Sequence, residues 1–378
     1  MAEIRVENLQ KSFADFVAVK DSSFTVKNGE FFCLLGPSGC GKTTTLRMIA
    51  GLELPTSGRI FLGNEDVTFK RASQRDIAFV FQLFALYPHL NVRKNIAFPL
   101  VCQGLPRAQI AAKVTEAASV LRINHLLDKP VSGLSSGDRQ RVALGRAIVR
   151  EPLAFMMDEP LGALDSEFRE LMCQELRALH DRLDATTVYV THDQLEAMAM
   201  ADTIAIMNRG VIEQLGAPQD VYDRPDSVFV ANFIGSPAMN FIPLEGGYTA
   251  GTALLRLGET ALPIPMLCED AAGSELLFGV RPEHVRLAPE SGLRAEVLGT
   301  EYLGNSQVVT CLTAQGATVR ARIGPQIEMQ RGEHVGLIFE TKRVSVFDTA
   351  SGRALKTLLH ERTTKSARSH SGVESTNG

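Results

Sequence analysis

From the N-terminus to about residue 235, short apolar runs alternate with stretches of helical periodicity. Phe31-Phe32-Cys33-Leu34-Leu35 is a continuous apolar run of the length that makes a buried strand. Thr44 to Ala50 can be helical and stops at Gly51, a residue suited to a helix C-terminus. Further strands are expected over 153–157, 187–191 and 203–207, with a short helical stretch between the last two. Leu164, Phe168, Leu171, Leu176, Leu179 and Leu183 recur at near-helical spacing, which predicts an amphipathic helix packing those side chains on a sheet. Residues 105–150 are mostly helical in pattern, interrupted at Lys129-Pro130 and Ser132-Gly133. Together these patterns predict an α/β domain with a largely parallel sheet and an inserted helical subdomain at about 86–150.

Past Gly235-Ser236-Pro237 the texture changes. Val319-Arg320-Ala321-Arg322-Ile323 alternates apolar and basic residues, and Gly, Pro and Asn recur between short runs, as in a small all-β barrel or sandwich. The expected domains are 1–236, 237–350 and an unstructured tail over 351–378 that lacks periodic apolar residues. A length of 378 residues suits two or three domains, and 45% hydrophobic with 22% charged residues places the chain among soluble globular proteins. The formal net charge of −4 supplies no global basic field that would recommend nucleic acid or anionic lipid. The six cysteines have no C-x-x-C spacing and read as small core residues in a reducing cytosol. No signal peptide is legible, nor any apolar run near the ~18 residues of a membrane span.

The chemistry begins at Gly36-Pro37-Ser38-Gly39-Cys40-Gly41-Lys42-Thr43-Thr44, which fits G-x-x-x-x-G-K-[ST] between a strand and a helix. Unpaired N–H groups at a helix N-terminus attract phosphate, and glycines let the main chain close around it. Lys42 is then expected on the terminal phosphates and the Thr43 hydroxyl on Mg²⁺. Leu153 to Met157 is an apolar strand ending in Asp158 and Glu159, where a metal-holding aspartate belongs. Glu159 could orient or deprotonate the attacking water; the competing reading makes the pair a helix N-cap ahead of Pro160.

Over nearly the whole first domain the sequence resembles the ATP-binding cassette (ABC) ATPases. Leu134-Ser135-Ser136-Gly137-Asp138-Arg139-Gln140-Arg141 stands where that family has its LSGGQ signature. Gln82 matches the Q-loop glutamine, Leu161-Gly162-Ala163-Leu164-Asp165 the D-loop, and His192 the switch histidine. Phe13 falls where family members stack an aromatic on adenine. The resemblance implies a P-loop ABC ATPase that works as a head-to-tail dimer, each ATP lying between one subunit's phosphate loop and the other's signature. In it Lys42 meets the phosphates, Thr43, Gln82 and Asp158 serve Mg²⁺, and Glu159 is the general base. His192 senses the γ-phosphate, and Ser135 and Gly137 reach the partner's ATP. Ser136 and Asp138 depart from the signature, and a carboxylate at 138 adds negative charge beside an anionic nucleotide unless it faces the ribose hydroxyls.

Three further stretches are similar to the maltose and sn-glycerol-3-phosphate type of carbohydrate importer: Phe233-Ile234-Gly235-Ser236-Pro237-Ala238-Met239-Asn240-Phe241, Val280-Arg281-Pro282-Glu283-His284 and Tyr302-Leu303-Gly304-Asn305. That resemblance implies an OB-like regulatory second domain, two membrane permease subunits, a second ATPase subunit, a solute-binding protein, and a peripheral position at the cytoplasmic face of the bacterial inner membrane. Polyamine, iron and sulfate importers share much of the ATPase. A soluble ABC protein acting on nucleic acid would carry two cassettes or a coiled-coil insertion, and neither is present.

Overall fold

The computed structural model describes residues 2–360 except 83, 163, 165, 272–274 and 290. The chain divides into two compact units, Met1–Pro218 and Gln219–Gly378.

The first unit is built on one mixed sheet. Its strands in chain order are β1 (Ile4–Phe13), β2 (Phe16–Val26), β3 (Phe31–Leu35), β4 (Ser57–Leu62), β5 (Glu65–Asp66), β6 (Ile77–Val80), β7 (Ala154–Asp158), β8 (Thr186–Thr191), β9 (Thr203–Asn208) and β10 (Val211–Gly216). They lie in the order β5-β4-β1-β2-β10-β9-β3-β8-β7-β6. From β9 to β6 every neighbour is parallel. The other half is antiparallel except for a single parallel bridge from β10 to β2, so the expectation of a largely parallel sheet holds for only half of it. The alternation of Ile4, Val6 and the residues facing them on β2 and β4 suits a wing packed on one side, whereas β3, β7 and β8 are buried along their whole length.

Helix α1 (Lys42–Ala50) follows β3 and ends at Gly51, whose left-handed φ of 72° lets its N–H return to the Arg47 and Met48 carbonyls. Helices α2 (Val92–Cys102), α3 (Arg107–Val120) and α4 (Ser136–Ile148) form the helical insertion. Helix α5 (Ser166–Leu183) buries Met172, Cys173, Leu176, Leu179 and His180. Leu171, expected on that face, is 45% exposed, because the buried stripe centres one position further on. Helix α6 (Gln194–Met200) joins β8 to β9. The core of this unit gathers side chains such as Ile4, Phe32, Leu34, Leu46, Met156, Val188 and Ala205.

The second unit opens with the short helices α7 (Pro218–Asp223) and α8 (Val228–Phe233), ahead of the expected boundary at 236. Ten strands follow: β11 (Asn240–Glu245), β12 (Leu254–Leu257), β13 (Thr260–Pro263), β14 (Glu275–Val280), β15 (Val285–Ala288), β16 (Leu293–Tyr302), β17 (Gln307–Thr313), β18 (Thr318–Ile323), β19 (His334–Phe339) and β20 (Val344–Asp348). They pair antiparallel as β11-β14-β20, β12-β13 and β15-β19-β16-β17-β18 around one apolar core. Val319 and Ala321 point inward and Arg320 outward, as their alternation requires. Arg281 is buried against α7 and α8. It donates to the carbonyls of Ala231 (3.1 Å), Ile234 and Tyr222 (2.9 Å), with its guanidinium 4.1 Å from the Tyr222 ring centroid. Residues 351–360, expected in an unstructured tail, are tied to this unit: Ala354 bridges Phe347, and Thr357, fully buried, bridges Leu267. Two cysteines expected in the core are not there, Cys102 being exposed and Cys268 half-buried.

Candidate active site

The loop from Gly36 to Gly41 runs between β3 and α1. A Cβ on Gly36 would lie 2.2 Å from the Met207 carbonyl oxygen, and one on Gly41 2.5 Å from that of Ala18. Gly41 also caps α1 with φ 109°, so only glycine lets the loop lie this close to its neighbours. Lys42 is buried and its ammonium bends back over the loop, donating to the carbonyls of Gly36 (2.8 Å) and Pro37 (2.9 Å). Cys40 is buried beside it; burial raises the thiol's pKa, and the Lys42 ammonium partly offsets that. At the far end of α1 the buried Arg75 guanidinium donates to the carbonyls of Met48 and Ile49 (both 2.7 Å), Lys70 and Thr68 (both 3.0 Å). A cation there satisfies the last carbonyls and complements the negative end of the helix dipole. Burial lowers its pKa to about 10, so it remains charged at neutral pH.

Strands β3, β6, β7 and β8 end at the same edge of the sheet, with Leu35 opposite Thr191, Asp158 opposite Val190 and Val80 opposite Met157. This register brings the phosphate loop, Gln82, the acid pair and His192 together at the carboxyl ends of the strands. The Thr43 hydroxyl donates to Asp158 Oδ1 at 2.8 Å. Burial pushes the Asp158 carboxyl above the usual range, and the Thr43 hydrogen bond and the Arg47 charge oppose the shift.

Glu159 sits just past β7 at φ 44°, a strained conformation for a side chain of this size, with its N–H held by the Val190 carbonyl at 3.0 Å. The chain turns here and helix α5 begins only at Ser166, so the pair is not a helix N-cap. Gln82 Nε2 donates to Glu159 Oε2 at 3.3 Å, and His192 Nδ1 lies 3.3 Å from the same oxygen. Among the described residues Oε1 carries no hydrogen bond, which leaves it for a water.

Behind His192, Asp193 caps α6 by accepting from Leu195 N–H. Arg169 donates to Asp193 Oδ2 (3.0 Å) and to the Leu164 carbonyl (2.9 Å), tying α6 to the segment before α5. Glu196 is buried and accepts from Tyr189 (2.8 Å) and Thr191 (2.7 Å), with its carboxyl held above the usual range by burial. Nothing in the sequence singled out Arg75, Arg169 or Tyr189. Asp193-x-x-Glu196 has capping-box spacing, but Glu196 turns inward instead.

Ser135, Gly137 and Asp138 lie at the start of α4, where Ser135 is the N-cap. Phe13 is 43% exposed at the turn between β1 and β2, with Lys11 Nζ 4.7 Å from its ring centroid. Pro37 and Ser38 lie in the loop, and Thr44 is half-buried on the first turn of α1. Asp165 lies outside the described residues.

Thr43 and Asp158 fit Mg²⁺: a hydroxyl and a carboxylate are hard oxygen donors, and this ion takes one or two of them together with substrate phosphates. Among the described residues no cluster of three or more His, Cys, Asp and Glu side chains could hold a metal by itself.

A phosphate loop and an acid pair at the carboxyl ends of parallel strands define the P-loop class of nucleotide hydrolases. Comparison narrows the class. Residues 19–162 match the ABC transporter family, 235–285 the MalK OB fold domain and 278–347 the TOBE domain. The trehalose/maltose import ATP-binding protein MalK of Thermococcus litoralis is 46% identical over 376 residues, covering 94% of this chain and 100% of that protein. The sn-glycerol-3-phosphate import ATP-binding protein UgpC of Cereibacter sphaeroides is 42% identical over 358 residues, covering 94% and 100%. The dimeric post-hydrolysis structure of an ATP-binding cassette bound to ADP and Pi aligns with TM-score 0.51 and 30% identity, over 57% of this chain and 98% of that one. The chain belongs to the ABC transporter ATP-binding proteins, in the branch whose cassette is followed by OB fold and TOBE domains.

Proposed function

We propose that this chain is the ATP-hydrolysing subunit of an importer for a carbohydrate or polyol-type solute. It sits peripherally on the cytoplasmic face of the membrane, pairs with a second ATPase subunit, and drives two permease subunits fed by a solute-binding protein. The observation that carries the reading is the convergence of Lys42, Thr43, Asp158, Glu159, Gln82 and His192 at one sheet edge. The carbohydrate class rests on similarity to trehalose/maltose and sn-glycerol-3-phosphate import proteins over nearly the whole chain.

Lys42 moves its ammonium from the loop carbonyls to the β- and γ-phosphates, and the loop N–H groups hold the same oxygens. Thr43 and Asp158, assisted by Gln82, would hold Mg²⁺, which would supply neutralisation of the charge developing on the phosphates. Glu159 accepts a proton from the attacking water through Oε1 while Gln82 and His192 hold Oε2. Phe13 stacks on the adenine. His192 is 54% exposed, so it can exchange Glu159 for the γ-phosphate. Ser135 and Gly137 meet the ATP of the partner subunit, so that the site is complete only on closure.

Coupling to the permease has a candidate seat. A groove of about 420 Å³ is lined by Phe84, Leu86, Pro88, Val131 and Arg139, between the Gln82 loop and the helical insertion. Arg146 at the end of α4 donates to the carbonyls of Ala85 (2.7 Å) and Phe84 (2.9 Å), linking that loop to the helix that Ser135 caps. Among the described residues no helix is long and apolar enough to cross a membrane. Affinity purification of the chain from detergent-solubilised native membranes tests the reading. Two stoichiometric permease subunits, identified by mass spectrometry, are expected; recovery of the chain with no membrane protein would contradict it.

A further inference from the structure

The signature of this chain ends in Asp138, and its side chain is already engaged. Ser135 Oγ donates to Asp138 Oδ2 at 2.8 Å and accepts from the Asp138 N–H at 3.1 Å. A hydroxyl has one proton to donate, so the Ser135 proton is committed within its own loop. Its acceptor is a carboxylate, which makes the bond charge-assisted and stronger than one to a neutral group. We infer that Asp138 is a positioning residue that competes with the nucleotide phosphate for the Ser135 hydroxyl, so that the signature must be unlatched before it can close on ATP. This inference rests on the reading of Ser135 as the donor to the partner subunit's ATP.

Three surroundings make the latch a stable setting. Asp138 lies in the first turn of the 13-residue helix α4, where the positive dipole end favours a carboxylate. Arg141 Nη1 stands 3.5 Å from Asp138 Oδ1, but the same guanidinium also pairs with Glu175 on α5 at 3.3 Å, so its charge is divided between two acids. The loop backbone lies tight against α5, where a Cβ on Gly137 would fall 2.1 Å from Phe168 Cε1. Unlatching needs no more than a rotation of the Ser135 and Asp138 side chains, which one side-chain hydrogen bond joins. The cap itself survives, because Ser135 accepts from the backbone N–H of residue 138 whatever side chain stands there.

The test is a double-mutant cycle on the full chain, reading the ATP dependence of hydrolysis for the parent, Asp138→Gln, Asp138→Asn, Ser135→Ala and Ser135→Ala with Asp138→Gln. Both single changes at Asp138 should lower the half-saturating ATP concentration by about tenfold, the weight of one charge-assisted hydrogen bond, with the maximal rate nearly unchanged. The change to Gln should have no such effect once Ser135 is Ala. A half-saturating concentration that stays the same or rises in the Asp138 variants would overturn the inference; a rise would mean that the carboxylate serves the nucleotide. So would an equal drop in the Ser135→Ala background, which would mean that the charge acts on ATP directly. Hydrolysis that needs Glu159 but ignores Asp138 defeats this inference and spares the ATPase reading, whereas absence of hydrolysis from every form defeats both.

Discussion

The two units handle charge and strain differently. The first buries Lys42, Arg75, Asp158 and Glu196, and every described non-glycine residue with positive φ lies in it, including Glu159, Phe84 and Ala85. In the second, Arg281 is the one buried charged side chain among the described residues, and positive φ is confined to glycine. Buried charge and strained backbone persist only where neighbours over-determine them, and in the first unit Lys42, Asp158 and Glu159 carry both at the phosphate loop and the acid pair. The second unit is assembled instead from period-two strands around an apolar core.

Three substitutions would sharpen or break that contrast. Arg75→Met leaves four backbone carbonyls without their donor and should cost about 3 kcal/mol of stability in the first unit, weakening ATP affinity through α1. Chemical denaturation with and without nucleotide reads both effects, and an unchanged midpoint would break the comparison. Arg281→Met should cost roughly 2 kcal/mol through the carbonyls of Ala231, Ile234 and Tyr222, without altering nucleotide affinity. A loss of ATP binding in that variant would show that the two units do not divide the work as described.

The smallest effect concerns Glu196. Its carboxyl is raised by burial, so the folded chain keeps the proton over a pH interval in which the unfolded chain has released it. The stability this confers is present below the ordinary glutamate range and lost as pH rises through the folded value. Glu196→Gln removes the dependence. The thermal midpoint of the variant should therefore gain on that of the parent as pH rises through this interval, by roughly 2–4 °C for about 1 kcal/mol. A constant difference across the titration would show that burial does not govern this group.

How far the sequence announced all this follows from what each feature needs. Glycines at fixed offsets between an apolar run and a helix, and an apolar run ending in two acids, are local patterns, so the phosphate loop and Asp158-Glu159 were legible. Arg75 was not: one arginine among Ala72, Ser73, Gln74 and Asp76 has no period, and its partners on α1 are distant in sequence. The antiparallel wing was hidden because its strands are half exposed and carry Lys, Glu and Ser on the open face. Leu171 was misplaced because counting leucines ignored Met172 and Cys173, which centre the buried stripe of α5. Residues 351–360 lack periodicity, yet isolated bridges and one buried threonine suffice to hold them.

The central claim is that Glu159, held through Oε2 by Gln82 and His192, is the base for ATP hydrolysis. Measuring steady-state hydrolysis and equilibrium ATP binding for the parent and for Glu159→Gln tests it most directly. The account predicts nearly unchanged binding and a turnover lowered by about 10²–10⁴-fold, the usual worth of a positioned general base. Undiminished turnover in Glu159→Gln would contradict it.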